Sequence, residues 1–488
     1  MTGSPPPVPE SKQAVSSEQV ASPMVSLYAA QKKIYPRSIQ GQFTNWRWIF
    51  VWLTQIIFYG LPWLEWGQRQ AVLFDLEARR FYIFGLVLYP QDFIYLTGIL
   101  VICALALFLF TAIAGRLWCG YACPQTVYSE IFLWIEYKVE GDRSARLRLD
   151  GAGIDSAKIG KKSLKQFIWI AFSIWTGFTF VAYFTPAREL IGSFIQVQMS
   201  AWELFWVFFY GFMTYGNAGY MREQICKYMC PYARFQSAMY DKDTLVVAYD
   251  AVRGEPRGPR SKSVDFKAKG LGSCIDCALC VQVCPTGIDI RKGLQYECIG
   301  CGACVDACDT VMDKVGYPRG LVRYATQSSM ETASGSAITG AWHQVRASLM
   351  RPRILVYSGL LAVVTLAMFV SIALRSPFKV DVVRDRATLS RIVEGGKLEN
   401  VYRLQIMNAT EQIQHYKIQA HGLNGLTIED NQPIAIESAQ SRWVPLRVRV
   451  PYGVAQPGSV PIVFEIQSVA AGQVIASVSE KSVFLVPR

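Results

Sequence analysis

Histidine is nearly absent from this sequence: its 488 residues include only His343, His415 and His421, and none lies in an apolar run. That excludes a membrane b-type haem held by two histidines. His343 falls in the polar stretch before the last apolar run and reads as a solvated residue. The first 25 residues, rich in Pro, Ser and Gln, lack the apolar core of a cleavable signal peptide and read as a disordered tail. Cysteine is missing from the final hundred residues, and charge is missing from several long blocks.

Those uncharged blocks are the membrane signature. Apolar residues make up 51% of the chain and aromatics 13%, concentrated near residues 46–64, 93–115, 167–184, 202–216 and 354–374. About 20 apolar residues cross a bilayer core, so five crossings are expected, with the two termini on opposite sides. The net charge of +12 does not point to nucleic acid, because the basic residues flank the apolar blocks. Arg116, Lys138, Arg143, Arg146, Arg148, Lys158, Lys161, Lys162 and Lys165 lie between the second and third blocks, and only Arg188 between the third and fourth. Positive loops stay inside, which makes the first of these connections cytoplasmic. By alternation the N-terminus and residues 219–353 are cytoplasmic too, and residues 376–488 lie outside.

Of the 13 cysteines, eight fall within residues 274–308, four form two pairs beside apolar blocks, and Cys103 stands alone in the second block, where it reads as packing. On the cytoplasmic side, metal thiolates outrank disulfides. Cys274, Cys277, Cys280 and Cys284-Pro285 have bacterial ferredoxin spacing, and Cys298, Cys301, Cys304 and Cys308 repeat it. Two residues between thiolates let one turn wrap three corners of a cubane, while the fourth cysteine reaches the other cluster. One [4Fe-4S] cluster is therefore expected on Cys274, Cys277, Cys280 and Cys308, and a second on Cys298, Cys301, Cys304 and Cys284. A pair of zinc sites would show two separated C-x2-C pairs, not triplets each followed by a fourth cysteine. Asp309 follows Cys308 where a proline is usual, which can alter the turn without removing a ligand.

The remaining pairs are Cys119-Gly-Tyr-Ala-Cys123-Pro124 after the second block and Cys226-Lys-Tyr-Met-Cys230-Pro231 after the fourth. Their repetition suggests a duplicated two-helix unit. If each motif is helical, residues four apart share a face, and the two motifs together offer four sulfurs. Soft thiolates suit Cu(I), zinc or an iron–sulfur cluster, and Met221 and Met229 could add thioether ligands for copper. The alternative is that these cysteines are small buried hydrophobes at helix ends. Glu65, Glu130, Glu136 and Glu203 lie near the membrane boundaries, where an acid is either functional or simply faces solvent.

The outer segment alternates with period two in residues 402–407, 443–450, 460–466 and 474–478, with turns at Pro451-Tyr-Gly and Gln456-Pro-Gly. Short strands at this spacing argue for an immunoglobulin-like β-sandwich. The expected architecture is thus a multi-pass α-helical membrane protein with a cytoplasmic bacterial-type 2[4Fe-4S] ferredoxin domain and a C-terminal β-sandwich. Its domains are a disordered cytoplasmic segment (1–45), a four-span region with both C-x3-C-P motifs (46–240), the ferredoxin-type domain (241–353), a fifth transmembrane helix (354–375) and the periplasmic β-domain (376–488).

In that order, these motifs resemble the FixG/CcoG/RdxA family of cytochrome c oxidase accessory proteins from about Tyr35 onward. The resemblance implies a bacterial inner-membrane protein supporting assembly of cbb-type cytochrome c oxidase, with Cu(II) reduction to Cu(I) as its reaction. Cys119, Cys123, Cys226 and Cys230 would then be its copper-handling residues. The partners it implies are oxidase assembly factors or copper transporters and chaperones, besides membrane lipid and a cytoplasmic electron donor. Two other readings stay open at this point, a quinol-linked carrier like the membrane subunits of nitrate and nitrous-oxide reductase systems, and a non-catalytic scaffold or redox sensor. The direction of electron flow and the oligomeric state, a homodimer included, also stay open.

Overall fold

Gln42–Gly60 forms helix α1, and its N-terminus shows how the chain is held together. Gly41 offers no side chain to cap it. The carboxylate of Asp306, more than 250 residues downstream, instead accepts hydrogen bonds from Phe43 N, Thr44 N and Thr44 Oγ1. A carboxylate at a helix N-terminus satisfies orphan N–H groups and complements the helix dipole. The computed structural model describes residues 33–260, 269–332, 350–385, 390–429, 432–470 and 473–487. The tail at residues 1–25 and His343 lie outside them.

Among the described residues, three helices are long and apolar enough to cross a membrane, which marks a membrane-associated protein. They are α2 (Phe93–Ala114), α5 (Ser156–Val181) and α9 (Pro352–Ala373). Between α2 and α5 the chain forms a short helix α3 (Leu117–Tyr121) and the longer α4 (Pro124–Glu140). Helix α5 begins eleven residues before the expected third span, because Lys162 and Lys165 pair with Glu140 on α4 and carry the helix on beyond its apolar part. Helix α6 (Ala201–Thr214) continues into π-helical turns at Tyr215–Met221 and Ile225–Met229 before α7 (Pro231–Met239). Helix α8 (Ala303–Val315) belongs to the eight-cysteine segment.

The helix ends sort into two groups. The start of α2 meets the end of α9 through Tyr95 and Ser371, and the start of α9 meets the end of α2 through Arg351 and the Ala112 carbonyl, so the pair is antiparallel. Helices α5 and α6 are antiparallel and very close. A Cβ on Gly177 would stand 2.1 Å from the Val207 carbonyl oxygen, so glycine is required there. Tyr59 near the end of α1 hydrogen-bonds Thr176 on α5, and Tyr183 beyond α5 donates to the Phe58 carbonyl.

Residues 72–88, which carry no clear pattern in the sequence, form a small antiparallel sheet of β1 (Val72–Asp75), β2 (Arg80–Ile83) and β3 (Leu86–Leu88). At the other end, β4 (Val246–Tyr249) pairs with β5 (Val322–Ala325), closing the eight-cysteine segment. The C-terminal segment is a sandwich. One sheet runs Thr427–Glu429, Ser441–Pro451, Lys397–Asn408, Phe378–Arg384, with Arg391–Val393 also on the third of these, and the other runs Ile434–Ile436, Gln414–His421, Gly458–Ala470, Gln473–Val486. Tyr402, Leu404, Ile406, Tyr416, Phe464 and Phe484 fill the core between them. Its Met407 and Ala439 join Leu73, Tyr82, Val87 and Tyr89 in one apolar cluster, and Asp92 holds Arg375 and Lys379. The sandwich is therefore fixed to the helix ends opposite those that carry the cysteines.

Glu399 is buried in the sandwich between Arg391 and Arg449. Burial alone would raise its pKa, but hydrogen bonds from the two guanidiniums outweigh it and hold the carboxyl below the ordinary range. A depressed folded pKa gives stability that is complete above the unfolded value of about 4.3 and is lost as pH falls through the folded one. The unfolding midpoint of the full chain should therefore drop on acidification below about pH 4, and this component of the drop should vanish in Glu399→Gln.

Candidate metal centre

The eight-cysteine segment folds around two cavities. Cys274, Cys277, Cys280 and Cys308 line one, with Tyr249, Leu279, Met312 and Leu321. Cys284, Cys298, Cys301 and Cys304 line another, with Cys280 also on its wall. The topology thus groups the fourth cysteine of each motif with the triplet of the other. Apolar side chains make up most of both walls, and each offers four cysteine sulfurs, the ligand set of an iron–sulfur cubane.

Among the described residues, no three His, Cys, Asp or Glu side chains converge as they would around one metal ion. The donors present, four cysteine sulfurs to each cavity in ferredoxin-type spacing, are those an iron–sulfur cluster takes.

Local sequence explains the two loops. Pro285 follows Cys284, and the short helix Leu279–Gln282 stops before them. Asp309 in the equivalent place lets α8 run on to Val315, and its Oδ1 accepts from Gly320 N at 2.9 Å. Burial first, then neighbouring sulfurs, pushes the Cys298 and Cys308 thiols up to about 12, and burial followed by the Asp289 carboxylate pushes Cys280 up to about 11. Thiols in such a site keep their protons until a metal displaces them.

The membrane-edge pairs differ from the single helical face expected of them. Each motif breaks before its second cysteine: Cys123 and Cys230 have extended backbones and cap the helices that begin at Pro124 and Pro231. The cause is the proline, which disfavours helical conformation in the residue before it. Both breaks are closed alike, by Cys123 N to the Trp118 carbonyl and Cys230 N to the Ile225 carbonyl, five residues back.

The likeness extends further. Four residues before the first cysteine of each motif, Gly115 has φ 54° and ψ −116°, and Arg222 has φ 36° and ψ −112°. Two residues after the second cysteine, Gln125 donates to the Asn217 and Arg222 carbonyls of the other unit, and Tyr232 bonds Thr111 of the first. The units are thus related by an approximate two-fold exchange, and each sends its trailing helix against the other.

A non-glycine residue with the Arg222 backbone is strained, on the order of 1–3 kcal/mol, and needs surroundings that hold it. Glu136, 1% exposed, supplies them by pairing with Arg222, Arg146 and Lys165. Of the other boundary acids, Glu130 pairs with Arg47, Glu65 with Arg188 at the surface, and Glu203 caps α6 at Ser200.

This arrangement brings the four membrane-edge cysteines together. The charge of Cys123 reaches Cys119, Cys226 and Cys230, and that of Cys226 reaches Cys119 and Cys230. Burial above all pushes Cys119 up to about 12 and Cys226 up to about 11. Met221 and Met229 are exposed, 36% and 60%. Cys103 is exposed on α2, away from both groups of cysteines in sequence.

The two thiol groups are neighbours. A Cβ on Gly120 would lie 2.9 Å from Cys301 Cα and from the Ile299 and Gly300 carbonyl oxygens, so the membrane-edge motif rests directly on the loop that carries Cys301. Cys119 packs against the Ile299 and Cys301 cluster. Buried Arg116 donates to the Ala233 carbonyl, and its charge reaches Cys119, Cys226 and Cys298. No spacing rule marks Arg116 or Asp306 in the sequence, since their partners are distant in it.

A family profile described as a 4Fe-4S dicluster domain matches residues 221–327, and one described as an IG-like fold at the C-terminus of FixG matches residues 368–487. A third, a 4Fe-4S binding domain, matches residues 96–140. Nitrogen fixation protein FixG of Rhizobium meliloti is 36% identical over 470 residues, 90% of this chain and 89% of that protein. The chain belongs to the FixG/RdxA family. Protein RdxA of Cereibacter sphaeroides is 39% identical over 407 residues, covering 82% of this chain and 84% of its own, and Protein RdxB of the same organism is 40% identical over 399, covering 80% and 83%. Membership in the FixG/RdxA family, together with its 4Fe-4S domains, makes this an iron–sulfur protein of electron transfer.

In this FixG/RdxA-family chain, Gly120→Ala should force the 299–301 loop to move, at an overpacking cost of about 1–3 kcal/mol. EPR of the reduced protein should show one cluster signal altered and the other retained. Two unaltered signals would mean that the contact is not needed to hold the nearer cluster.

Proposed function

We propose that this chain reduces Cu(II) to Cu(I) at the membrane, in support of cbb-type cytochrome c oxidase assembly. The observation that carries the reading is the direct packing of the Cys119–Cys123 motif on the Cys301 loop, which leaves no spacer between the eight-cysteine segment and the membrane-edge cysteines. Kinship with the FixG and RdxA proteins supports it over nearly the whole chain.

When bound, the two clusters supply one-electron carriers. Cys274, Cys277, Cys280 and Cys308 would hold one, and Cys284, Cys298, Cys301 and Cys304 the other. The chain's own residues do the rest. Apolar side chains surround most of the sulfurs, Gly120 allows close approach, and Arg116 sets a positive charge between two anionic centres. Copper is the substrate, received at or beside Cys119, Cys123, Cys226 and Cys230, where soft sulfur favours the cuprous state. Exposed Met221 and Met229 offer thioethers for the product ion.

The proposed setting is a bacterial inner membrane crossed five times, by α1 and α6 besides the three long apolar helices. The eight-cysteine segment would face the cytoplasm and a soluble electron donor, and the sandwich the periplasm, where assembly factors or copper chaperones could dock. Two observations favour this: the sorting of helix ends and the crowd of Lys and Arg between α2 and the apolar part of α5.

The test is Cu(I) formation, followed with a cuprous chelator, by the chemically reduced, purified chain. Wild type should reduce Cu(II), and Cys226→Ala combined with Cys230→Ala should lower the rate at least tenfold. Undiminished activity in the double variant would remove those residues from the site, and inactivity of the wild type would remove copper reduction as the function.

A further inference from the structure

A polar cavity of about 450 Å³ opens between the start of α1, the middle and end of α4, and the loop that carries Cys284. Arg37, Arg47, Lys138 and Arg146 line it against a single acid, Glu130. Two of these cations are already matched: Arg47 pairs with Glu130, and Arg146 pairs with Glu136 while donating to the Pro36 carbonyl. Arg37 and Lys138 are exposed and form no ion pair among the described residues, although the charge of Arg37 reaches Asp142. Both are held in place. Arg37 N donates to the Gln282 carbonyl at 2.8 Å, and with the Pro36 carbonyl held by Arg146 the backbone is fixed on either side of that peptide. Lys138 lies over Trp134, its Nζ 5.8 Å from the ring centre.

A second observation says what kind of anion these cations suit. Trp48 lines the cavity, and Trp52 and Ile56 follow it along α1 at intervals of four residues, 62% and 65% exposed. Residues so spaced share a helix face, so an apolar stripe of roughly 12 Å leads away from the cavity. Trp134, also on the cavity wall, is 47% exposed and meets Trp48 edge-on with ring centres 6.3 Å apart. Tryptophan favours the boundary between water and lipid, and basic pockets between helices at that boundary take anionic headgroups. A small free anion would use the cations and leave the stripe bare.

We infer that this cavity holds the phosphate of an anionic phospholipid between Arg37 and Lys138, with an acyl chain along Trp48, Trp52 and Ile56. The inference goes beyond copper chemistry and rests only on the proposed placement of α1 in the membrane. Val283, Pro285 and Ala303 form another part of the wall, beside Cys284 and Cys304 in the chain, and Val283 packs in one apolar cluster with Cys301. The lipid thus bridges α1 and α4 to the loops that carry the second set of cluster ligands.

Native mass spectrometry of the full-length protein, stripped of lipid in detergent and then mixed with defined lipids, tests this. Wild type should bind one dioleoyl phosphatidylglycerol about tenfold more tightly than dioleoyl phosphatidylcholine. Arg37→Gln combined with Lys138→Gln should abolish that preference and leave phosphatidylcholine binding unchanged. Arg148→Gln combined with Lys161→Gln removes two exposed cations outside the cavity and should preserve it. An equal loss in both double variants would mean diffuse surface attraction and overturns the inference. Inorganic phosphate should displace little of the lipid, whereas full displacement would assign the cavity to a free phosphate compound, and a quinone retained there in place of phospholipid would assign it to an electron donor. Either result overturns the lipid. A wild type without the preference that still forms Cu(I) overturns the inference and leaves the proposed function standing, and the preference without cupric reduction upholds the inference and removes the function.

Discussion

The close approach of Gly120 to residues 299–301 is the contact on which the arrangement of this protein depends. Without a side chain at position 120, two backbones meet, and the cysteines of the membrane edge lie against the loop that carries Cys301. Electron transfer weakens steeply with distance, so a few ångströms here matter more than the same change elsewhere. The clamp of Asp306 on the start of α1 serves the same end from the other side. It sits on α8 between Cys304 and Cys308, and so ties the eight-cysteine segment to helix α1 through the element that carries its ligands.

Bringing so many sulfurs together has an electrostatic cost. Burial and mutual repulsion both disfavour thiolates, and the raised thiol pKa values on both sides of the contact record it. Positive charge answers this where it is needed. Arg116 stands between the two groups, and Arg47 is buried beside Glu130 within reach of Cys301. Below the second motif, Glu136 gathers three basic side chains, and buried charges so paired are expensive to break because each would be left alone. The strain at Arg222 is carried by that network, whereas Gly115 meets the same backbone demand by having no Cβ.

The sandwich stands at the opposite helix ends and contributes no residue to either sulfur group. Its link to the rest is an apolar cluster with β1–β3 and a set of ion pairs around Asp92.

Much was legible in the sequence, for identifiable reasons. Cysteine spacing of two and three residues belongs to local turns, so the ferredoxin motifs declare themselves without a fold, and β alternation reports the two-faced environment of each strand in the sandwich. Charge-free blocks gave the three long apolar helices, although the start of α5 was hidden because its lysines pair with acids on another helix. The proline after Cys123 and Cys230 was visible too, and its local rule already forbids the continuous helix that four-residue spacing invites. Only the tertiary structure decided the rest: which cysteines share a cavity, the contact of Gly120 with the Cys301 loop, the reach of Asp306 to α1, and the burial of Arg116. Those depend on partners up to hundreds of residues apart, and periodicity carries no information about a neighbour brought close by folding.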